Sequence, residues 1–147
     1  MFRTDPLPQD WAAIGLWLQS QGLTLDFGPP RQFAGGLANL NYLVSVDGAP
    51  AVFRRPPAGD LAHGASDMAR EARVLSALHP IFPLAPRSVA FCADASVIGV
   101  PFQLLEYRPG LAIGGSLPER LSGDDSGWLI DALAETLARL HALDPEQ

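Results

Sequence analysis

The segment FAGGLANLNYLV, residues 33–44, places two glycines and two asparagines where a strand-like run begins. Gly35 and Gly36 tolerate a positive φ, which a tight turn requires, and asparagine shares that tolerance. Glycine also carries no side chain, so the backbone N–H groups here could approach a ligand closely. The segment alone supports both interpretations, a plain hairpin turn and a loop that covers a ligand.

A glutamate in a later helix is the second candidate for chemistry. In DMAREARVLSAL, residues 67–78, Glu71 lies at i, with Val74, Leu75 and Leu78 at i+3, i+4 and i+7. A carboxylate on an apolar helical stripe is costly unless a cation pairs with it. Glu71 therefore predicts a nearby cation, or else a side chain that snorkels to water at the helix end.

The nearest cations in the sequence are Arg54 and Arg55, at the end of the preceding strand. Alternation along that strand puts Val52 and Arg54 on one face and Arg55 on the other. An Arg54–Glu71 ion pair would hold the strand and the helix in register. We therefore expect this ion pair, with Val52 on the same face.

Helical periodicity, capping residues and turn signals outline the elements that position these residues. Helices are predicted from Asp10 to about Gln21, over 67–78 and over 128–143. Strands are predicted at 31–34, 40–46, 51–55, 88–92 and 100–107. Successive hairpins, one of them at Asp47–Gly48, indicate a five-stranded antiparallel sheet with a helix inserted after the third strand. The fold class is therefore α+β.

Five segments in order along the chain resemble the aminoglycoside-phosphotransferase-like family of small-molecule kinases. They are QFAGGLANLNYLV, VFRRPPAGDL, ASDMAREARVLSAL, FCADASVIGVPFQLLEYRPG and LARLHALD, and they cover most of residues 31–144. Within that family, they resemble the branch related to the N-terminal kinase-like domain of acyl-CoA dehydrogenase family members ten and eleven. The resemblance implies the N-terminal lobe of a protein-kinase-like fold.

The resemblance also implies a set of nucleotide-binding residues. They are Gly35, Gly36, Asn39, Val52, Arg54, Glu71, Glu106 and Tyr107. By this resemblance, the loop from Gly35 to Asn39 covers the phosphates, and Asn39 ties that loop back onto itself. Arg54 matches the strand-three cation and Glu71 its helix partner, while the backbone of Glu106 and Tyr107 matches the hinge that binds adenine. Ser66 departs from the family, because many relatives carry a histidine there.

The family's catalytic loop reads H-G-D with an asparagine five residues further on, followed later by a metal-binding aspartate. None of His63, His79 and His141 is followed by Gly-Asp, and the loop is expected to begin beyond Gln147. No catalytic and no metal-ligating residue is therefore assigned in this chain, and Mg²⁺ ligands are expected from the C-terminal lobe. We expect the 147-residue chain alone to lack phosphotransferase activity.

Two functions stay open at this point. The first is the nucleotide-binding part of a kinase that transfers the γ-phosphoryl group of ATP or GTP, with Mg²⁺, to a hydroxyl group of a small molecule. The second is a non-catalytic, kinase-like module with a binding or regulatory role. Substrate contacts in these folds come largely from the other lobe, so an aminoglycoside, a hydroxyacyl thioester and another hydroxylated metabolite all remain options.

Composition excludes several partners. The net charge is −6, and the ten basic residues are all arginines, scattered along the chain apart from one adjacent pair. Nucleic acid is therefore not an expected partner.

The single cysteine, Cys92, suits a reducing compartment. The N-terminus lacks the apolar region of a signal peptide, and the apolar run from Ala12 to Leu18 is too short to span a bilayer. We expect a cytoplasmic protein without a membrane partner.

The predicted organisation has three parts. Residues 1–30 form an N-terminal helix and lead-in, residues 31–107 the nucleotide-binding lobe, and residues 108–147 the hinge and the start of a C-terminal lobe. The last helix is apolar around much of its circumference, which predicts an uncovered surface. Its apolar residues are Trp128, Leu129, Ile130, Leu133, Leu137 and Leu140. We expect the isolated chain to self-associate, to swap this helix between copies, or to need a further segment for solubility.

Overall fold

The fold is an antiparallel sheet with three helices. A computed structural model describes residues 2–34, 38–57, 66–111, 113 and 125–144. The elements are α1 (Trp11–Ser20), β1 (Arg31–Gln32), β2 (Leu40–Val46), β3 (Ala49–Arg55), α2 (Met68–Leu78), β4 (Ser88–Cys92), β5 (Phe102–Glu106) and α3 (Asp125–His141). The strands form one five-stranded antiparallel sheet in the order β1-β2-β3-β5-β4. This arrangement confirms the predicted α+β fold, with α2 inserted after the third strand.

The hairpin between β2 and β3 turns through two residues. Asp47 and Gly48 have φ values of 51° and 76°, and Val46 pairs directly with Ala49. Positive φ at both central residues is the signature of the turn that Asp-Gly favours. Because the turn is this tight, β3 begins at Ala49, two residues before the predicted start. The seven-residue pairing of β2 with β3 then fixes where Arg54 lies in the sheet.

The segment before β1 is tied to this hairpin by a carboxylate. Asp26 Oδ2 accepts hydrogen bonds from the Ser45 hydroxyl at 2.6 Å and from the Gly48 N–H at 2.8 Å. Asp47 Oδ1 accepts the Thr24 N–H at 2.9 Å. The Ser45 hydroxyl, followed by the Gly48 N–H, lowers the pKa of Asp26 below its ordinary value. The ionised carboxylate therefore holds the lead-in against the turn.

Aromatic packing covers one face of the sheet with α1. Tyr42, Phe53 and Phe102 are buried on this face. Trp11 of α1 stands edge-on to Tyr42 and Phe53, each at 5.3 Å between ring centroids, and Trp17 stands edge-on to Phe102 at 5.0 Å. Edge-to-face pairs of this kind add stabilisation beyond the buried area. This face is therefore the main apolar core, and the polar candidates lie on the other face.

The helix α2 covers the opposite face, but with a different stripe from the predicted one. Its buried residues are Met68 and Ala72, whereas Val74 is 48% exposed, so the prediction that Val74 shares the buried stripe is wrong. Met68 and Ala72 are four residues apart and small or flexible enough to lie close to the sheet. Glu71, next to Ala72, lies at the margin of this stripe. From there it can reach the sheet while keeping contact with water.

Several element boundaries differ from the sequence expectation by a few residues. The strand β1 stops at Gln32, and Phe33 makes only an isolated bridge with Phe2. The strand β5 starts at Phe102 because Gly99 has a φ of 85° and Pro101 lacks an N–H. The helix α3 begins at Asp125 rather than 128 and ends at His141. Residues 114–124, which precede α3, fall outside the described residues.

The chain divides into two compact units, Met1–Arg108 and Pro109–Gln147. The second unit contains α3, which carries a run of exposed apolar side chains: Trp128, Ile130, Leu133 and Leu137. In the part of the chain that the structure describes, no helix combines the length and the apolar character that a membrane crossing needs.

We predict that Asp26→Asn lowers the free energy of unfolding near neutral pH, since the neutral amide accepts weaker hydrogen bonds than the carboxylate. Because the folded-state pKa of Asp26 is lowered, the carboxylate's contribution is present above the unfolded-state pKa. It is lost as the pH falls through the folded-state pKa. The difference between the two proteins should therefore shrink as the pH falls below about 4, the ordinary pKa of an aspartate, in urea titrations. Asp131→Asn, at an exposed position of α3, controls for the removed charge. A difference that is the same at every pH contradicts the prediction.

We also predict that the 147-residue chain self-associates through α3. Exposed apolar side chains that are contiguous on one helix favour association, and the double variant Ile130→Ser, Leu133→Gln should reduce it. Light scattering over a wide concentration range measures the effect. Leu16→Gln, at another exposed apolar side chain in α1, serves as the matched control. A monomer at all concentrations, for the unmodified chain, would show that α3 is not an association surface.

Candidate functional site

Arg54 lies on the α2 face of the sheet, in a row of polar residues. It pairs with Asn41 of β2 on one side and with Gln103 of β5 on the other. Directly paired residues of an antiparallel sheet point to the same face. Gln103 is fully buried, and its Nε2 lies 3.8 Å from the Met68 sulfur at the start of α2. The row therefore runs beneath the N-terminal half of α2.

The predicted Arg54–Glu71 ion pair is present. Arg54 Nη1 lies 2.7 Å from Glu71 Oε1, and the two side chains are 30% and 26% exposed. The pair is thus neither fully buried nor fully solvated, so screening by water limits its contribution to stability. Its main effect is geometric, because it holds the end of β3 against the first turns of α2. The alternative of a Glu71 that snorkels without a partner is wrong.

Asn39 contacts the same guanidinium. The hydrogen-bond network assigns its amide so that the oxygen accepts from Arg54 Nε and Nη2, both at 3.2 Å. Its nitrogen then donates to the Ala38 carbonyl at 2.9 Å and to Ser66 Oγ at 2.8 Å. The contact with Ala38 joins adjacent residues, and residues 35–37 fall outside the described part of the chain, so the expectation that Asn39 ties the loop back onto itself stays a prediction. The contacts with Arg54 and Ser66 go beyond that expectation.

Ser66 is a site residue that sequence reasoning missed. Its hydroxyl donates to the Ala38 carbonyl at 2.7 Å, and its backbone φ is 58°. Serine gives no strong sequence signal for a positive φ, which is mostly adopted by glycine and asparagine. The one available signal was that many relatives carry a histidine, and not a serine, at this position. Asp67 follows at once and caps α2 by accepting the Arg70 N–H at 2.9 Å.

The arrangement leaves part of the guanidinium available. Arginine has five N–H donors, of which Glu71 takes one and Asn39 takes two. Within the described residues, one donor on each terminal nitrogen therefore has no partner. A cavity of about 410 Å³ is lined by the two partners of the guanidinium, Asn39 and Glu71, together with Ser66 and the outer side of α2, but not by Arg54 itself. A fixed cation with two spare donors can bind an anion such as a phosphate.

Val52 lies on the same face as Arg54, two residues earlier in β3. It pairs with Leu43 of β2 and with Leu105 of β5. Leu105 is buried, whereas Val52 and Leu43 are half-buried. The three side chains form an apolar row next to the polar row of Arg54. Such a surface suits a flat apolar group, for example a nucleobase.

Glu106 and Tyr107 lie at the end of β5, away from the Arg54 row. Glu106 Oε2 accepts from the Arg87 N–H at 3.0 Å and pairs with Arg108 Nη2 at 2.9 Å. The Arg87 N–H, with help from the Arg108 charge, lowers the pKa of Glu106. The side chain of Glu106 is thus engaged within the chain. The predicted contact of adenine with the backbone of Glu106 and Tyr107 stays a prediction.

The structure therefore brings together three of the predicted nucleotide-binding residues, namely Asn39, Arg54 and Glu71. Val52 lies beside them on the same face. Gly35 and Gly36 fall outside the described residues. Among the residues that are described, no cluster of three or more His, Cys, Asp or Glu side chains is arranged to hold a metal ion.

Together, the fold and this ion pair define a class of protein. A glycine-containing hairpin, a cation on the third strand and a helix glutamate paired with it occur together in the N-terminal lobe of protein-kinase-like phosphotransferases. Residues 30–147 match the Phosphotransferase enzyme family, to which the chain therefore belongs. The resemblance inferred from the five sequence segments is thereby confirmed.

Known relatives agree with this assignment. The chain is 31% identical to Acyl-CoA dehydrogenase family member 10 of Mus musculus over 144 residues, 97% of this chain and 13% of the relative. It is 34% identical to Acyl-CoA dehydrogenase family member 11 of Pongo abelii over 114 residues, 77% of this chain and 14% of the relative. The chain thus spans only about one-seventh of the length of the curated relatives it matches.

A solved structure supports the fold. It is the crystal structure of a Ralstonia eutropha JMP134 protein assigned as an aminoglycoside phosphotransferase, with a TM-score of 0.69 and 26% sequence identity. The match covers 95% of this chain and 40% of that protein.

We predict an energetic coupling between Arg54 and Glu71. In a double-mutant cycle with Arg54→Ala and Glu71→Ala, the coupling in the free energy of unfolding should be about 1 kcal/mol, the upper range for a partly exposed pair. The matched cycle combines Glu71→Ala with Arg73→Ala, which removes an exposed arginine of the same helix. That cycle should give a coupling near zero. Equal couplings in the two cycles would contradict a specific pair.

Proposed function

We propose that the protein containing this chain binds ATP or GTP through the Arg54 face of the sheet and transfers the γ-phosphoryl group to a hydroxyl group of a small molecule. The observation that carries the proposal is the guanidinium of Arg54, which Glu71 and Asn39 hold and which keeps donors without a partner among the described residues. A cation fixed in this way loses little conformational freedom when it binds a phosphate.

The residues on this face have distinct roles in the proposal. Arg54 contacts a nucleotide phosphate, and Glu71 keeps the guanidinium from turning away. The apolar row of Val52, Leu43 and Leu105 supports the base. The backbone of Glu106 and Tyr107 hydrogen-bonds to the base edge at the end of β5. Gly35 and Gly36 precede Asn39 in the sequence and let the backbone approach the phosphates closely.

The remaining chemistry belongs to other parts of the protein. Phosphoryl transfer needs a base that positions the attacking hydroxyl, and none of the three histidines here lies in an H-G-D motif. When bound, Mg²⁺ supplies counter-charge to the phosphates. Arg54 adds a positive charge to the same phosphates. The part played by this chain is thus binding and orientation of the nucleotide.

Relatives support the class of reaction and leave the substrate open. The matching family is one of phosphotransferases, and the solved structure comes from a protein assigned as an aminoglycoside phosphotransferase. We propose a hydroxylated small molecule as the acceptor, without choosing between an aminoglycoside, a hydroxyacyl thioester and another metabolite. The single buried cysteine and the absence of a basic stripe support a cytoplasmic protein that does not bind nucleic acid.

We predict that Arg54→Ala weakens binding of MgATP to the full-length protein by about tenfold or more, the loss expected for a charge-assisted hydrogen bond. Isothermal titration calorimetry measures the dissociation constant. Arg73→Ala removes an arginine of equal charge from the exposed side of α2, and it should leave the affinity nearly unchanged. An unaltered affinity in Arg54→Ala would refute the phosphate role. Tight nucleotide binding by the full-length protein without transfer to any hydroxylated acceptor would favour the non-catalytic module.

A further inference from the structure

The hydrogen bonds around Asn39 form a chain with a fixed direction. The Ala38 carbonyl can only accept, so the Ser66 hydroxyl must direct its proton to it, over 2.7 Å. The Ser66 oxygen then accepts from the Asn39 amide nitrogen at 2.8 Å. The amide oxygen consequently faces Arg54, where it accepts from Nε and Nη2 at 3.2 Å. The Ala38 carbonyl can only accept and the guanidinium can only donate, so these two groups determine the orientation of the Asn39 amide, and the Ser66 oxygen adds a second acceptor for its nitrogen.

The amide of Asn39 is fully used in this orientation. Both of its N–H groups donate, one to Ala38 and one to Ser66, and its oxygen accepts twice from Arg54. Turned by 180°, the amide would place its N–H groups against the N–H groups of the guanidinium. That orientation would also place the amide oxygen against the Ala38 carbonyl oxygen, which can only accept. The Ala38 carbonyl and the guanidinium therefore select the observed orientation, and the Ser66 hydroxyl helps to hold the amide in it.

The backbone of Ser66 supports the same interpretation. A φ of 58° is uncommon for a residue other than glycine, asparagine or aspartate, and it carries a conformational cost. Ser66 also directly precedes Asp67, the cap of α2, and Glu71 lies on the first turns of that helix. Two acceptors, Glu71 and Asn39, thus hold Arg54, and both depend on the start of α2. Glu71 belongs to this helix, and Asn39 contacts Ser66, which precedes the helix cap.

We propose that Asn39 is a positioning residue for Arg54, with its amide held in place by the Ala38 carbonyl and the Ser66 hydroxyl, and that this relay presents to a nucleotide phosphate the donors of Arg54 that have no partner among the described residues. The relay itself rests on hydrogen bonds within the chain, and only its benefit to phosphate binding rests on the proposed function. The relay fixes the guanidinium on the side away from Glu71. With Glu71 alone, the group could still rotate about the single pairing at Nη1.

Proton exchange at the arginine side chains tests the relay without any ligand. In the 147-residue chain labelled with ¹⁵N, NMR reports the exchange rate of each Arg Nε–H with water. Ser66→Gly removes the hydroxyl while tolerating the positive φ, so the fold should be retained. It should accelerate exchange at Arg54 Nε–H by about tenfold, the loss expected for one hydrogen bond to a charged group. Asn39→Ala should do at least as much.

An internal control is available in the neighbouring residue. Arg55 Nε donates to the Pro56 carbonyl at 2.9 Å, and its Nη1 donates to Gln9 Oε1 at 2.8 Å. Exchange at Arg55 Nε–H should stay unchanged in each variant, which also shows that the strand is intact. Unchanged exchange at Arg54 Nε–H in Ser66→Gly would overturn the relay.

A conservative replacement separates positioning from general stabilisation. Asn39→Asp keeps an oxygen that accepts from Arg54 but loses the N–H groups that donate to Ala38 and Ser66. It should therefore leave Arg54 Nε–H better protected than Asn39→Ala does. Exchange as fast in Asn39→Asp as in Asn39→Ala would mean that the acceptor at position 39 does not hold the guanidinium, and it would overturn the relay.

A measurement of MgATP binding distinguishes a failure of the relay from a failure of the proposed function. In the full-length protein, Ser66→Gly should weaken MgATP binding by about threefold to tenfold, less than Arg54→Ala, because the charge of Arg54 is retained. Faster exchange at Arg54 with unchanged MgATP affinity would overturn the phosphate role proposed for the relay. If MgATP does not bind even to the unmodified protein, the proposed function fails, while the exchange data still decide the relay.

Discussion

The half-buried positive charge of Arg54 is the constraint around which this site is built. A guanidinium on the covered face of a sheet needs acceptors, because burying a charge without a partner is costly. Its neighbours in the row, Asn41 and Gln103, carry no charge. The acceptors come from two other segments, Glu71 of α2 and Asn39 before β2. The single side chain of Arg54 therefore joins three segments that are separate in sequence.

The two faces of the sheet differ in composition: the α1 face contains the main apolar core, and the α2 face contains the candidate site. The α1 face is packed with aromatic rings and contains most of the buried apolar residues. The α2 face carries a row of polar side chains, including Gln103, whose Oε1 is buried and has no hydrogen-bond partner in the described part of the chain. A buried polar row reduces the apolar contacts that α2 can make. The Arg54–Glu71 pair and the cap at Asp67 compensate in part for this loss.

Local patterns in the sequence predicted most of the fold. The strand Ser88–Cys92 and the turn at Asp47–Gly48 agree with the structure, because turn residues and alternation are local signals. The ends of β1, β5 and α3 were less predictable, since strand ends depend on which partner residues continue the pairing. Val74 was wrongly placed on the buried stripe of α2. Periodicity gives the period of a helix, but the contact with Met68 and Ala72 sets which side faces the sheet.

The site could be predicted from the sequence only where two local patterns, strand alternation and helical periodicity, applied together. Arg54 ends a strand and Glu71 lies on the next helix, so alternation and helical periodicity together predicted their pairing. The contact between Asn39 and Ser66 bridges segments far apart in sequence, and it depends on the φ of 58° at Ser66. No local pattern signals a positive φ at a serine. For this reason the sequence predicted a contact of Asn39 within its own loop, but not its contact with Arg54.

The presence of arginine rather than lysine at position 54 follows from the same geometry. A lysine ammonium has three donors, and one contact with Glu71 and two with Asn39 would use all of them. The five donors of the planar guanidinium satisfy both residues and leave one donor on each terminal nitrogen. A guanidinium is therefore well suited to a site that anchors its cation from two sides, through Glu71 and Asn39, and still offers it to a ligand.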